Sequence, residues 1–521
     1  MQILDNKAVL IRTRYPDKYT VIPKSRIIDR DDAGGYTVAV FWGLDEMRVL
    51  KNLGVKQVPS PIERNYDWPG RFKPMAHQRE TASFLTLHRR AFCFNEPGTG
   101  KTLSALWAAD YLMRRKEVRR VLVICPLSIM QSAWVGDISN SVIHRSVVIA
   151  HHTKAVRRVE LVQGDYEFVI INYEGLNLIS NEINADGRFD LIIVDEANAY
   201  KNTQTQRWKS LAAVIKPHTY LWMMTGTPAS QSPVDAYGLA RLVNPNGVPR
   251  FQTAWRDKVM NKVTQFKWAP KPDAKQIVHN ALQPAIRFTK EQCLDLPPVL
   301  VETRNVAMSP QQVKYYKLLK EQLLVQTAGA TISAVNAGVA VNKLLQISCG
   351  AAYTDDKEVV EFDSSPRLNV LMEVIEETDR KVLIFAMFRS SIDTIVAFLE
   401  KKGVKTAQIH GDVTPTKRGQ IINDFQTTDN VQVLVMQPQA TAHGITLTAA
   451  NTVVFYGPLM SVEMYLQCIA RADRKGQNAS KVTVVHIQSS PIEVRMFKAM
   501  ASKVGDHALL VGMFDSEIKD F

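Results

Sequence analysis

From about residue 80 onward, short apolar runs rich in β-branched residues alternate with stretches that have helical spacing. Continuous apolar runs separated by helices are typical of parallel strands covered on both faces. The pattern therefore predicts an α/β fold with two tandem, doubly wound lobes. The first lobe contains the runs AFCF (91–94), VLVICP (121–126), SVVIA (146–150), FVIINY (168–173), LIIVDE (191–196) and TYLWMMTGTP (219–228); the second contains KVLIFAMF (381–388), TAQIHG (406–411), VQVLVMQP (431–438), TVVFYGP (452–458) and VTVVHI (482–487).

The remaining segments differ from this pattern. From about 232 to 375 the sequence reads as helices with proline-marked joints, a helical insertion without further sheet. Near the N-terminus, a predicted β-hairpin and a short helix indicate a small α+β accessory module. We expect this module over 1–60, the first lobe over 61–290 with a helical insertion from about 232, and the second lobe over 291–521 with a helical entry segment.

Composition narrows the class of protein. A chain of 521 residues exceeds one ordinary domain, and its 46% apolar content suits large buried cores. Five separated cysteines without a CxxC pair argue against a zinc site and for a reducing compartment. With neither a signal peptide nor a membrane-length apolar run, we expect a soluble, intracellular monomer that contacts no membrane, in the cytoplasm or with the DNA. The net charge of +13 suits a polyanion, although many basic proteins bind no nucleic acid.

The segment NEPGTGKT (95–102) lies between an apolar run and a helical stretch, the order that phosphate binding requires. Gly98 and Gly100 allow close approach of the backbone, with Thr99 between them. Lys101 would reach the β- and γ-phosphates of ATP, and the Thr102 hydroxyl would ligate Mg²⁺. A glycine-rich turn without a ligand is the alternative, because the strict pattern has glycine where this chain has Asn95.

Two acidic residues end the apolar run LIIVDE. Beside a phosphate loop, Asp195 would hold Mg²⁺ through water, and Glu196 would orient and deprotonate the attacking water. An incidental acidic strand end is the alternative. The Asn-Lys-x-Asp string of a GTP-type switch is missing from the sequence.

The stretch QCIARADRKGQ in the second lobe spaces Gln467, Arg471 and Arg474 by four and three residues, which predicts one helical face. Arginine stabilises the charge that develops on a transferred phosphoryl group. Because these arginines belong to a different lobe from the phosphate loop, hydrolysis would depend on both lobes. An exposed basic helix is the alternative for this stretch taken alone.

Taken in order, these motifs resemble the Swi/Snf-type branch of superfamily two helicase-like ATPases, with RecA-like lobes, over about residues 72–500. The likeness is greatest to compact fork-remodelling and annealing members. The segments that carry it are PMAHQ, NEPGTGKT, VLVICPLSIMQSAW, VIINYEGL, DEANAYKN, MTGTPASQSPVDAYGL, LDLPPVL, MSPQQVKYY, VLIFAMFRSSID, IHGDVTPTKRGQIINDF, ATAHGITLTAANTVVFYGP and QCIARADRKGQ.

The resemblance implies an ATP- and Mg²⁺-dependent motor that tracks along double-stranded or branched DNA. By motif position it implies further roles for the following residues: Gln78 as adenine reader, Gly444 and Gln467 at the nucleotide, Thr225 and Thr227 in coupling, and Ser128, Tyr173, Ser390, His410 and Gly411 on DNA. The chain departs from the family pattern in the following positions: Ala197, Asn198, Thr441, Ala442, Thr446 and Met460. These changes leave the hydrolytic residues intact and affect positions of coupling and DNA contact.

Alternative functions remain open at this stage. A strand-separating DNA or RNA helicase shares the two lobes, and a nucleotide-regulated binding module would hydrolyse little ATP. The accessory module could grip branched DNA or could only cap the first lobe. Its basic residues are Arg12, Arg14, Lys18, Lys24 and Arg26.

Overall fold

The computed structural model describes residues 1–500 except 33, 227, 230–231, 264–267, 294–295, 328–341, 354–357, 442–444, 475 and 499. The chain forms two compact units, and the first ends at Cys293. The predicted fold class is confirmed, because each unit contains a parallel sheet and the first also carries a small antiparallel one. No helix among the described residues is long and apolar enough to cross a membrane.

The N-terminal residues form a four-stranded antiparallel sheet in the order β1-β2-β4-β3. Its strands are β1 (Gln2–Leu4), β2 (Ala8–Thr13), β3 (Ser25–Arg30) and β4 (Tyr36–Phe41). The predicted hairpin corresponds to β3 and β4, and the predicted helix spans Leu44–Asn52. The sequence pattern missed β1 and β2. Val9 and Val40 lie on the inner face and belong to the same apolar core as the helix Lys101–Arg114, so this face packs on the first lobe.

The first lobe is a seven-stranded sheet in the order β13-β5-β10-β9-β6-β8-β7, and each of its pairings is parallel. The central strands are buried along their full length, which explains their continuous apolar sequences. The strands are β5 (Arg90–Cys93), β6 (Val121–Cys125), β7 (Val147–Ile149), β8 (Phe168–Asn172), β9 (Leu191–Asp195), β10 (Tyr220–Met224) and β13 (Ala285–Ile286).

Helices cover both faces of this sheet, and two apolar clusters fill the two sides. The region predicted as helical from about 232 also contains the short hairpin of β11 (Met260–Lys262) and β12 (Trp268–Pro270). The helices of the unit are Asp17–Thr20, Leu44–Asn52, Ile62–Asn65, Ala76–Leu87, Lys101–Arg114, Leu127–Ile129 (3-10), Met130–Val135 (π), Gly136–Ser141, Ala155–Gln163, Tyr173–Asp186, Ala197–Tyr200 (3-10), Gln206–Val214, Pro233–Asp235 (3-10), Ala236–Val243, Pro245–Gly247 (3-10), Gln252–Val259, Ala274–Ala281 and Lys290–Cys293.

The second unit has a six-stranded parallel sheet in the order β14-β21-β20-β17-β19-β18. Its strands are β14 (Val299–Asn305), β17 (Lys381–Phe385), β18 (Thr406–Ile409), β19 (Val433–Met436), β20 (Ala450–Phe455) and β21 (Val482–Gln488). The expectation of a purely helical entry segment was wrong here, because β14 pairs with β21 along its whole length. A hairpin of β15 (Ala351–Tyr353) and β16 (Val359–Glu361) also falls in this segment.

The helices of the second unit pack on its sheet around two apolar clusters. They are Pro310–Thr327, Ser365–Glu376, Arg389–Lys401, Pro415–Thr427, Pro438–Thr441 (3-10) and Val462–Ile469, with helical residues also at 342–348 and 491–498.

Candidate active site

The strand register brings the phosphate loop and the acid pair to one edge of the first sheet. Met224 of β10 is paired with Cys93 of β5 on one side and with Asp195 of β9 on the other. The phosphate loop follows Cys93, and the acid pair ends β9. Adjacent strands lie about 4.8 Å apart, so the loop and the acid pair are separated by roughly two strand spacings, with β10 between them.

The phosphate loop has the backbone conformation that its glycines predict. Gly98 and Gly100 have φ of +92° and +80°, in the left-handed region that favours glycine. A Cβ atom on Gly100 would lie 2.1 Å from Nε2 of Gln78, so the end of the Gln78 side chain would have to move to admit another residue there. Gly100 leads directly into the helix Lys101–Arg114, whose N-terminus is therefore open to an anion.

Side chains of the loop bond to its own backbone. Lys101 Nζ donates to the carbonyl of Asn95 at 2.9 Å, and Thr99 Oγ1 donates to the carbonyl of Glu96 at 2.8 Å. The amide of Gln78 donates to the carbonyl of Thr99 at 3.4 Å, and its Oε1 accepts the N–H of Met75. Gln78 thus contacts the loop, and its role as adenine reader stays a prediction.

Asn95, the departure from the strict loop pattern, has a structural reason. It is fully buried, its Nδ2 donates to Thr81 Oγ1 at 2.8 Å, and its Oδ1 accepts the N–H of Phe288 at 3.0 Å. A glycine at this position could make neither bond. Asn95 therefore connects the loop to the helix Ala76–Leu87 and to the chain after β13.

Arg287 is a residue that motif reasoning missed. Its buried guanidinium donates to the carbonyls of Phe94 at 2.8 Å and Gly226 at 3.3 Å, and to Glu96 Oε1 at 3.1 Å. The other oxygen of Glu96 accepts the N–H of Lys290 at 3.0 Å. One side chain therefore joins the start of the phosphate loop to the segment after β10, and no local sequence pattern indicates such a contact.

The acid pair is held by long-range hydrogen bonds. Asp195 Oδ2 accepts the indole N–H of Trp134 at 3.1 Å, and its Oδ1 accepts the N–H of Glu196 at 3.0 Å. The Tyr173 hydroxyl donates to the carbonyl of Asp195 at 2.7 Å. Burial raises the pKa of Tyr173 well above its ordinary value, so this hydroxyl remains a donor. Its predicted role on DNA stays a prediction, with the hydroxyl engaged inside the protein.

Glu196 lies in the left-handed region, with φ of +50° and ψ of +55°. A non-glycine residue there costs about 1–3 kcal/mol, a strain that concentrates at functional sites. Thr225, which is predicted to act in coupling, is fully buried, and its N–H donates to the carbonyl of Cys93 at 3.0 Å. Thr227 lies outside the described residues.

The residues present fit ATP and Mg²⁺. Two glycines with positive φ allow the loop backbone to approach a phosphate chain closely, and a long helix begins directly after them. The half-buried Thr102 lies in the first turn of that helix, and Asp195 ends β9, which β10 separates from β5. One hydroxyl and one carboxylate, completed by phosphate oxygens and water, match how proteins hold Mg²⁺.

The arginines of the second unit converge on one carbonyl. Arg471 and Arg474 donate to the carbonyl of Ile445 at 3.4 and 2.9 Å. The prediction of one helical face was wrong, because the helix ends at Ile469 and both arginines lie in the turns that follow. Gln467 lies inside the helix, and its amide donates to Glu463 at 3.5 Å. Gly444, predicted at the nucleotide, lies outside the described residues.

The predicted DNA contacts of the second unit share one edge of its sheet. The last residues of β17, β19 and β18 are paired in register. Ser390 lies after β17, and His410 and Gly411 follow β18. Ser390 is buried, and its Oγ has no hydrogen-bond partner among the described residues. Gly411 is exposed, with open space where a Cβ would stand. Burial and then the charge of Arg389 lower the pKa of His410, so its ring is neutral near pH 7.

Ser128, the remaining predicted contact, belongs to the 3-10 turn Leu127–Ile129 that follows β6. A π-helical segment, Met130–Val135, comes directly after it and contains Trp134. The structure thus places one DNA-contact candidate of the first unit just before the residue that bonds Asp195.

Comparison with known protein families finds two matches along the chain. The SNF2-related domain matches residues 76–349, which is more than half of the 521 residues. The helicase conserved C-terminal domain matches residues 366–476. The two matches fall in the order in which the sequence motifs occur.

Individual relatives are distant. The CHD3-type chromatin-remodeling factor PICKLE of Arabidopsis thaliana is 24% identical over 90% of this chain and 37% of its own length. The SWI/SNF-related matrix-associated actin-dependent regulator of chromatin subfamily A-like protein 1 homolog of Caenorhabditis elegans is 25% identical over 83% of this chain and 61% of its own length. The chain thus spans less than two thirds of the length of either relative.

Among solved structures, the Sulfolobus solfataricus SWI2/SNF2 ATPase core in complex with dsDNA aligns with 85% of this chain and 96% of that chain. The identity is 20% and the TM-score 0.42.

On the match to the SNF2-related domain, and with the phosphate loop and acid pair at one sheet edge, the chain belongs to the SNF2 family of DNA-dependent ATPases.

Proposed function

We propose that this protein is an ATP-dependent translocase on double-stranded DNA. The observation that carries the proposal is the register of β5, β10 and β9, which sets the phosphate loop and the acid pair at the same sheet edge. A binding module without turnover has no need of an acid pair at this place. Family membership supports DNA as the partner that stimulates hydrolysis.

Within the first unit, each residue has a distinct task. The loop and Lys101 would bind the β- and γ-phosphates, and Thr102 and Asp195 would hold Mg²⁺, which neutralises charge on the phosphates. Glu196 would orient water and accept its proton. Its left-handed backbone conformation distinguishes it from Asp195, the last residue of β9.

The second unit would contribute positive charge through Arg471 and Arg474, which share a carbonyl partner and hence a common position. We infer that hydrolysis requires both units, because the arginines and the phosphate loop belong to different ones. Because both units would then take part in each hydrolysis cycle, ATP hydrolysis could be coupled to movement of the protein, as a motor requires.

The track would be the phosphate backbone, which carries no base information and permits stepping over any sequence. The candidates are Ser128 and Tyr173 in the first unit, and Ser390, His410 and Gly411 in the second. The unsatisfied Ser390 hydroxyl and the open space at Gly411 support the second-unit group most directly.

A preference for forked or branched DNA is the finer form of the proposal. The inner face of the N-terminal sheet caps the first lobe, and its outer face carries Arg12 and Arg26. Register supports a shared face, since Arg12 is paired with Thr37, and Arg26 with Ala39 two residues along β4. Both arginines are exposed, so they are available to a second DNA arm.

The decisive experiment is steady-state ATP hydrolysis with duplex DNA, single-stranded DNA, a forked junction and RNA, together with displacement of a triplex-forming strand from duplex DNA. We expect duplex and fork to stimulate hydrolysis above single strand, and displacement to require ATP. Lys101→Ala should abolish both activities. Stimulation mainly by single strand or RNA would favour the strand-separating helicase, and no stimulation would favour the binding module.

The fork preference has its own test. Arg12→Ala/Arg26→Ala should lower stimulation by the fork more than stimulation by duplex. Arg119→Ala/Lys209→Ala removes the same charge from exposed positions elsewhere on the first unit and serves as the control. If Arg12→Ala/Arg26→Ala lowered the stimulation of ATP hydrolysis equally with fork and with duplex, the N-terminal sheet would serve only to cover the first lobe.

A further inference from the structure

Trp134 stands out among the residues that the motif roles do not use. It is fully buried, and its indole Nε1 donates to Asp195 Oδ2 at 3.1 Å across 61 residues of sequence. An indole N–H has no acceptor capacity, so it can only donate, and here it donates to a carboxylate. The bond is therefore charge-assisted, the stronger class of hydrogen bond.

The bond restricts the orientation of the Asp195 carboxylate. One oxygen accepts the N–H of Trp134, and the other accepts the N–H of Glu196 at 3.0 Å. Rotation of the carboxylate would break both bonds at once. Partners outside the ligand shell orient metal ligands in this way, and their loss weakens metal binding.

The backbone around Trp134 is unusual. A 3-10 turn, the π-helical segment Met130–Val135 and the α-helix Gly136–Ser141 follow one another without a loop. π-helical turns are rare in proteins overall, and those that occur are often found at functional sites. Because β6 is paired with β9 up to Ile124 and Val194, this segment starts beside Asp195. The change of helix type thus occurs where the indole reaches the carboxylate.

We propose that Trp134 is a positioning residue that holds the Asp195 carboxylate in the orientation that binds the Mg²⁺ of the nucleotide. The inference rests on the proposed ATP site and not on DNA translocation. Trp134 touches neither substrate nor metal in this role, and acts only through Asp195. A tryptophan that merely filled the core would not change how nucleotide binding depends on Mg²⁺.

The test measures the affinity for a fluorescent ADP analogue at increasing Mg²⁺ and in EDTA, without DNA. For Trp134→Phe we expect the Mg²⁺ concentration at half-effect to rise about 10–100-fold, the range seen when a metal ligand loses a hydrogen-bond partner. Affinity in EDTA should be unchanged, because the phosphate loop is untouched. Since no DNA is present, the outcome is independent of whether the protein translocates.

Two matched controls are available in the same unit. Trp107 and Trp222 are also fully buried, and their indole N–H groups donate to the carbonyls of Pro69 at 3.0 Å and His88 at 3.2 Å. Trp107→Phe and Trp222→Phe therefore remove the same kind of group from the same core. We expect both to retain the wild-type Mg²⁺ dependence.

A second variant keeps the proposal testable if Trp134→Phe does not fold. Benzothienylalanine at position 134 preserves the shape of the indole and replaces only its N–H by sulfur. It should show the same rise in the Mg²⁺ requirement. A wild-type Mg²⁺ dependence in either folded variant would overturn the proposal and leave Trp134 as a core residue.

Discussion

The second unit contains a buried ion pair whose removal allows a quantitative prediction. Arg367 and Glu493 are 2% and 0% exposed, and their side chains bond at 2.7 Å. Oε2 of Glu493 also accepts the N–H groups of Ser489 at 2.7 Å and Ser490 at 3.1 Å. Burial by itself lowers the pKa of Arg367, but the charge and hydrogen bond of Glu493, together with Cys349 and Tyr456, outweigh burial and raise that pKa, so the guanidinium stays charged.

Arg367→Met leaves the Glu493 carboxylate buried without its cation. Breaking one partner of such a pair costs about 3–5 kcal/mol. Adding Glu493→Gln removes the uncompensated charge and keeps an oxygen for the backbone N–H groups of Ser489 and Ser490. We therefore expect the double variant to be more stable than Arg367→Met by about 2 kcal/mol, since only neutral hydrogen bonds of about 1 kcal/mol each remain affected.

The assay is urea unfolding of the full chain, with hydrogen exchange of the peptides covering 365–376 and 482–488 to assign the transition to the second unit. Arg304→Met is the control. Arg304 bonds to Glu377 at 2.6 Å, but both side chains are more than a third exposed, so its loss should cost no more than about 1 kcal/mol. A double variant less stable than Arg367→Met, or equal losses for Arg367→Met and Arg304→Met, would refute the reasoning.

Three further predictions concern turnover and pH. Glu196→Gln should bind ATP and slow hydrolysis about 10²–10⁴-fold, as expected for loss of a general base; a wild-type rate in single-turnover assays would remove Glu196 from that role. Arg474→Ala should retain the wild-type ATP affinity and lose about 10³-fold or more in turnover, and a parallel loss of affinity would assign it to binding instead. Burial, then the charge of Lys51, lowers the pKa of His88 from 6.5 to about 3, so the unfolded chain binds the extra proton between these values and stability falls as pH falls below 6.5. From pH 7 to pH 5 the wild type should lose about 2 kcal/mol more than His88→Gln in urea unfolding; identical slopes would show that His88 is not held neutral.

Several features could be read directly from the sequence because they are local. Runs such as LIIVD are apolar throughout because β9 is buried on both faces, and this composition is visible without a fold. The loop sequence likewise indicates the positive φ of Gly98 and Gly100, because glycine adopts that conformation readily. Residue type and short spacing therefore sufficed for the fold class and for the nucleotide-site candidates.

Local patterns failed where edge strands and helix ends are decided by other segments. β14 has exposed apolar residues, and its apolar and polar positions alternate poorly. It forms a strand because it pairs with β21. Arg471 and Arg474 continue a helical spacing beyond Ile469, where the helix has already ended. Their common partner, the carbonyl of Ile445, compensates for the lost helical face.

The sequence by itself determined which residues could bind phosphate and metal, since glycines, a lysine and paired acids carry that chemistry at fixed local spacing. Only the tertiary structure decided what orients them. Trp134 and Asp195 are separated by 61 residues, and Arg287 and Glu96 by 191. Such contacts arise when packing of the apolar core brings distant segments together, and buried polar groups then take the partners they meet. The spacing of apolar and polar residues along the chain does not indicate which distant side chains will form these hydrogen bonds.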